Sequence, residues 1–391
     1  MWGTDTRPRF GLICCVNDRG LGTEARNLKS IFERYFGDYA FSVYRLPTGR
    51  RAGAFDASWE SHRGFRRWLE RQQVVMSIEV FMPRVFAHCR ARGIRSLWRP
   101  NQEWIDASVA ADAFALVDEI VTPQRDCAAL LRGRFGLSNV RAVPWILDRP
   151  VAIKAPQSGP VRFLFNAGRG GVGDRRHADL VVAGMAAVLR QRQDIHLTIK
   201  TQSALNIDAL RPYLGQSVEY VHKNTGYARN LAYYGQADFS LAPSKWEGLG
   251  FALLESLHAG TPVLSVDAPP MNEWIDHQLT GYLLPVRWPD VELPIARSSD
   301  NSLGINWVRA ALADPEALAA GVNWLADHRQ AFYAAFNRIN PALLSRRKGE
   351  FLRGLRAAIE GETPIEDARP AAIKPADAGS EAQAGPQGAQ A

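Results

Sequence analysis

Cysteine is scarce in this chain, four in 391 residues. The spacing of Cys14, Cys15, Cys89 and Cys127 fits neither a metal-ligand set nor a disulfide framework. Cys14 and Cys15 fall in an apolar run that predicts a buried strand, and all four read as small core residues in a reducing compartment. Long apolar runs are also missing. None approaches the ~20 residues a membrane-spanning helix needs. The opening MWGTDTRPRFGLICC lacks the charged-then-apolar pattern of a secretory signal, so a cytoplasmic location is expected. Internal sequence repeats are absent, and so is any recognisable nucleic-acid module, which argues against a nucleic-acid partner.

Positive charge is plentiful but uneven. Residues 1–150 hold 23 Lys and Arg against 16 Asp and Glu, whereas the remainder holds 24 of each. The whole excess sits in the first half and implies an anionic partner there. The length suits two domains and a tail. Strand and helix patterns alternate from residue 9 to 150 and again from Val161 onward, with a Pro- and Gly-punctuated linker, RPVAIKAPQSGP, at 149–160. The expected architecture is α/β: two Rossmann-like domains, 1–150 and 151–361, facing across a cleft. Helices are predicted from Thr23, over Ser58 to Gln73, Ile207 to Leu214, Asn306 to Ala313 and Pro315 to Phe336, and over Ser345 to Glu360 as a closing helix. Residues 362–391 are rich in Ala, Gly, Pro and Gln and read as a disordered tail.

The most informative segment is KWEGLGFALLE, Lys245 to Glu255. It places Glu247 and Glu255 eight positions apart around a Gly-Leu-Gly turn, with a short buried helix from Phe251 to Ala259 stopped by Gly260. A helix N-terminus offers unpaired N–H groups to an anion. One carboxylate stands beside that anion and the other lies one to two turns inside the helix. A molecule with phosphate in the middle and hydroxyls at both ends suits such a site, and a nucleotide-sugar is one. The wider segment, APSKWEGLGFALLESLHAGTPVLSVDAPPMNEWIDHQLTGYLLP, resembles the donor-binding segment of GT-B glycosyltransferases, most closely the large retaining family four with its E-x7-E signature. The resemblance covers roughly residues 9–360. It is most specific at 242–285 and only architectural in the first half.

The resemblance implies a nucleotide-sugar donor, UDP- or GDP-linked, as co-substrate, held by the second domain. The first domain would bind a glycan or lipid-linked acceptor, and transfer would proceed with retention and without metal or other cofactor. Glu255 would hold the ribose, and Glu247 would sit against the donor sugar in a positioning and electrostatic role. The backbone from Gly248 through Leu249, Gly250 and Phe251 would face the diphosphate or sugar, and the base would lie near Lys200-Thr201 and Thr225 to Tyr227. The Gly-Arg after the strand FLFNAG matches at Arg169. The family's downstream basic residue fits Arg176, with Arg175 as the alternative; His177 stands where a Gly is usual. These arginines would stabilise charge growing on the leaving diphosphate. Many family members carry a His after the fourth N-terminal strand. The corresponding SLWRPNQEW has none, which leaves Asn101 or Glu103 to replace its hydrogen bond, or an inactive GT-B protein that only binds a glycan or nucleotide.

Gly20-x-Gly22-x-x-Ala25, after one strand and before a helix, also fits the dinucleotide fingerprint. A nicotinamide-dependent oxidoreductase needs in addition an acid near the end of the second strand, where FSVYRLP offers Arg45. In the glycosyltransferase reading, Gly22 lets the backbone approach the phosphate or acceptor. SWESHRGFRRWLERQQ carries Phe65, Trp68 and Leu69 on one side and Arg63, Arg66, Arg67 and Arg71 on the other. It reads as a surface helix, or as a basic face meeting anionic lipid at the inner face of a membrane.

Overall fold

The computed structural model describes residues 6–15, 20–47, 50–102, 105, 111–168, 175–288 and 310–363. The first half alternates β1 (Arg9–Cys14), α1 (Gly20–Tyr35), β2 (Ala40–Arg45), α2 (Arg50–Ser58), α3 (Arg63–Leu69), β3 (Val74–Ile78), α4 (Pro83–Ala91) and β4 (Arg95–Arg99). It continues through α5 (Ala111–Phe114), β5 (Glu119–Thr122), α6 (Arg125–Phe135) and β6 (Val140–Ala142). These strands form one parallel sheet in the order β2-β1-β3-β4-β5-β6. The second half runs β7 (Val161–Gly168), α7 (Ala178–Leu189), β8 (Ile195–Thr201), β9 (Val218–His222), α8 (Tyr227–Gln236) and β10 (Phe239–Leu241). Then follow α9 (Phe251–His258), β11 (Val263–Val266), α10 (Met271–Trp274), β12 (Gly281–Leu284), α11 (Pro315–Asp327) and α12 (Arg329–Glu360). Its parallel sheet has the order β12-β11-β10-β7-β8-β9.

Both sheets are covered on two faces, which is why central strands such as β3, VVMSI, are buried along their whole length. Strand order reverses beside β1 in the first sheet and beside β7 in the second. In sheets of this kind the crevice at the carboxyl ends of the strands flanking the reversal is the ligand site. The sequence expectation of two Rossmann-like α/β units holds.

Several element boundaries differ from expectation. α1 starts at Gly20, so Gly20 and Gly22 lie in its first turn rather than in a loop before Thr23. The expected helix over Ser58 to Gln73 is broken: a 3-10 turn, Trp59–Ser61, precedes α3, and His62 between them leaves helical geometry at φ −84, ψ 80. Ile207 to Leu214 contains a 3-10 helix, Asp208–Tyr213, because Pro212 has no N–H to give an α-helical ladder. Of the helix expected over Asn306 to Ala313, the first four residues are outside the described set. Ala310 to Ala313 are extended instead: Leu312 pairs with Arg287, and the Ala311 N–H donates to the Lys245 carbonyl at 2.8 Å. All of the tail beyond Thr363 is likewise outside the described set. No helix among the described residues is long and apolar enough to cross a membrane.

α12 returns from the second sheet to the first. Phe351 meets Trp145 edge-on at 5.2 Å. Arg95 on β4 donates to the Ala358 carbonyl at 2.6 Å, and Arg356 pairs with Asp38 at 2.9 Å. A second bridge lies at the crevice. The Glu273 carboxylate, on α10, accepts the Arg125 and Asp126 N–H groups at 2.9 Å each, capping α6 of the other sheet. Carboxylates at helix N-termini satisfy orphan donors and the dipole. Glu273→Ala is therefore expected to cost about 1–2 kcal/mol of stability, read as a lower urea midpoint; an unchanged midpoint would show the bridge to be neutral.

Candidate active site

Both motif loops leave the second sheet at its reversal. One follows β7, the other β10, and the Lys245 N–H donates to the Arg175 carbonyl at 2.8 Å, tying them together. That backbone contact sets the side chains. Glu247 is buried and accepts hydrogen bonds from Arg176, from Arg175 at 3.3 Å and from the Ser244 hydroxyl at 2.8 Å. Burial alone would raise its carboxyl; the guanidiniums of Arg176 and Arg175, with Ser244, outweigh it and hold Glu247 below the ordinary carboxylate range. It is a fixed anion between two fixed cations.

The turn after Glu247 is buried through Gly248, Leu249 and Gly250. Gly250 takes a left-handed conformation, φ 66, that a side chain would strain, and it leads into α9 without any side-chain cap. The first N–H groups of α9, from Phe251, are thus left for a ligand. Leu253, Leu254 and Leu257 anchor the helix in the core.

Glu255 sits in the second turn of α9, only 8% exposed. Burial raises its carboxyl to about 7, against hydrogen bonds from Tyr227 and Tyr234 and the charges of Arg176 and Arg149. Asn166, at the end of β7, donates to the Tyr234 oxygen at 3.0 Å and to Asn230 at 3.2 Å. Lys200, at the end of β8, is buried, which lowers its ammonium below the usual range, while Glu255 nearby pulls it back. Arg149 lies 5.9 Å from the Tyr227 ring centre. Tyr234, Asn230 and Arg149 were not singled out from sequence. For Tyr234 and Asn230 the signal was their spacing of seven and three from Tyr227, which puts them on one face of α8; Arg149 carried none.

Arg175, Arg176, Glu247 and Glu255 therefore gather at one crevice, together with the 248–251 turn. Arg169 and Glu103 lie outside the described residues. Asn101 and Gly22 belong to the first half of the chain, Asn101 just past β4 and Gly22 in the first turn of α1. Asn101 is 8% exposed, accepts from Arg99 at 2.8 Å and donates to Glu79 at 3.2 Å. Arg99 in turn pairs with Glu24 of α1, both side chains fully buried. Glu79 stands at φ 64 just past β3, beside that sheet's own reversal. All four cysteines are buried and free, with burial raising their thiols: Cys15 to about 11, Cys14 and Cys89 to about 12, and Cys127 higher still.

Two facing Rossmann-like units with a C-terminal helix crossing back define the GT-B architecture. Its likeness to solved structures is extensive in coverage and low in identity. The lipopolysaccharide outer core galactosyltransferase WaaB, in its apo form, shares 14% identity at a TM-score of 0.57, covering 90% of this chain and 99% of that one. Anabaena Alr3699/HepE in complex with UDP shares 10% at 0.61, covering 90% and 100%. Sucrose-phosphate synthase from Thermosynechococcus elongatus shares 16% at 0.60, covering 91% and 97%. Residues 162–292, the second sheet with its crevice, match the family described as glycosyl transferases group 1. No curated protein matches the chain. Fold and family match together support a GT-B glycosyltransferase.

Proposed function

We propose that this protein transfers a hexose-type sugar from a UDP- or GDP-linked donor to a glycan or lipid-linked acceptor, with retention and with arginines rather than a metal stabilising the leaving group. The observation that carries the reading is the convergence of Arg175, Arg176 and Glu247 at the N-terminus of α9, with Glu255 one turn inside. As the bond from the anomeric carbon to the diphosphate breaks, its electron pair leaves with the diphosphate. Arg176, Arg175 and the α9 N–H groups face that charge, and Arg169 joins them in this reading. Glu247 holds the guanidiniums in place and presents its carboxylate to the sugar. Glu255 accepts the ribose hydroxyls, displacing Tyr227. Asn101, fixed by Arg99 and Glu79, supplies a hydrogen bond across the cleft. The basic face of α3 brings the enzyme to an anionic membrane where a lipid-linked acceptor resides, which puts its work in cell-envelope polysaccharide synthesis at the inner face of that membrane.

Thermal stabilisation by a panel of UDP-, GDP- and ADP-sugars, free nucleotides and NAD(P)H tests the reading, because a ligand of the folded state raises the melting temperature. One nucleotide-sugar class is expected to shift it, and Glu255→Ala to remove the shift. Since Glu255 titrates near 7 and its carboxylate is the better acceptor, nucleotide affinity is expected to rise with pH through about 7, by at most about tenfold per unit below it. A shift with NAD(P)H alone would overturn the proposal.

A further inference from the structure

A second charged recess lies at the opposite end of the first sheet from the crevice. It is a cavity of 390 Å³ beside the first residues of β1 and β2, with Arg9, Arg67 and Arg71 at its walls. Trp68 lines it, its ring packed close over Gly11 of β1. Gly11 permits this: a Cβ there would stand 2.7 Å from the Trp68 ring. The ring is fixed by its N–H donating to Ser42 at 3.0 Å, and buried Gln72 donates to the Trp68 carbonyl at 2.8 Å.

The cavity has no acidic residue in its lining. None of its three guanidiniums forms an ion pair among the described residues. Elsewhere the arginines of this protein are commonly matched: Arg175 and Arg176 by Glu247, Arg95 and Arg141 by Glu119, Arg99 by Glu24, Arg192 by Asp194 and Asp327. Three uncompensated cations around one concave volume repel each other, and an anion with several acceptor oxygens relieves that repulsion. The guanidinium fork suits phosphate oxygens, and the Trp68 ring suits an apolar or planar group beside them. The volume falls in the range of small-molecule sites.

We propose that this cavity is a second anion site, separate from the donor crevice, that takes a phosphate or diphosphate group carried on a larger molecule. The carrier is either a lipid of the bilayer surface or a soluble phosphorylated compound. Neither source depends on the donor-site reading.

Isothermal titration with pyrophosphate tests the site directly. Arg67 and Arg71 are exposed, so Arg67→Gln/Arg71→Gln leaves the core intact. Gly64→Glu places a carboxylate at the rim, where an added Cβ meets nothing within 4 Å. Affinity at this site should fall about tenfold per guanidinium removed, and comparably in Gly64→Glu. Arg175→Gln/Arg176→Gln should leave it unchanged. Flotation with phosphatidylglycerol-containing vesicles, against pure phosphatidylcholine, separates the sources. If flotation is lost in the same variants, the carrier is a lipid headgroup; if the wild type does not float yet binds pyrophosphate there, the carrier is soluble. Pyrophosphate binding that is absent, or that is indifferent to the three cavity substitutions, would overturn the proposal.

Discussion

Glu247→Gln is expected to lower sugar transfer by about a thousandfold while leaving free-nucleotide affinity unchanged or slightly tighter. The carboxylate pairs with both Arg175 and Arg176, and it is buried. Glutamine keeps its size and can still accept from Ser244, so the loop should hold its shape. What is lost is the negative charge beside the sugar and the fixed aim of two guanidiniums. Those cations, released from their partner, can only gain attraction for a diphosphate. Turnover and nucleotide affinity therefore move apart, which general destabilisation would not produce. Steady-state kinetics and nucleotide titration on the same preparation measure both; wild-type turnover in the variant would refute the role given to Glu247.

The second large effect is on stability. Glu24→Ala is expected to cost about 3–5 kcal/mol, because it leaves the Arg99 guanidinium buried without its counter-charge. Both side chains are fully buried, 75 positions apart in sequence, and Arg99 also packs over Trp145 at 5.0 Å. Replacing the pair together, Glu24→Leu with Arg99→Met, should recover most of the loss, since desolvating two charges offsets much of their attraction. Urea unfolding of the single and double variants reads this; a single variant as stable as wild type would show that Arg99 finds other compensation. The pH dependence has a definite sign. Burial raises Glu24 from 4.5 to about 7, with Arg99 opposing and Glu79 assisting, and Glu255 likewise from 4.5 to about 7. The folded chain thus retains protons that the unfolded chain releases. The contribution of these two groups to stability is fully present below about 4.5 and is lost as pH rises through about 7.

The α/β alternation was legible because parallel strands covered on both faces appear as unbroken apolar runs, as in Phe10 to Cys14 and Val74 to Ile78. The crevice was legible where its residues are local: Glu247, the glycine turn and Glu255 are eight positions end to end. Arg175 and Arg176 required the family resemblance, since nothing local says that Lys245 will bond to the Arg175 backbone. The Glu24–Arg99 pair was not legible, being brought together only by tertiary packing; the spacing of Tyr227 and Tyr234 was legible, but not that Glu255 lies against them. The helices expected over Pro315 to Phe336 and Ser345 to Glu360 divide elsewhere: α11 ends at Asp327, and α12 is continuous from Arg329 to Glu360 although the residue before a proline disfavours helix. α12 runs through Pro341 because packing overrides the local preference: Asn340 is fully buried and bonds to the Leu257 carbonyl at 2.9 Å, and Leu343 and Leu344 are buried beside it.

The course of α12 has a consequence for how the protein is made. Strands β4 to β6 are translated long before Phe351, Leu355 and Ala358, the residues that cover them. A nascent first domain therefore leaves the ribosome with an apolar flank open, and it stays open until α12 has emerged. Val143 shows the fit that must wait: Gly354 lies so close that a Cβ there would come within 3.0 Å of its methyl group. Exposed apolar surface of that kind recruits chaperones and favours aggregation. Expression of residues 1–150 alone should accordingly yield insoluble protein, and supplying the segment 329–363 as a separate chain should bring part of it back into solution.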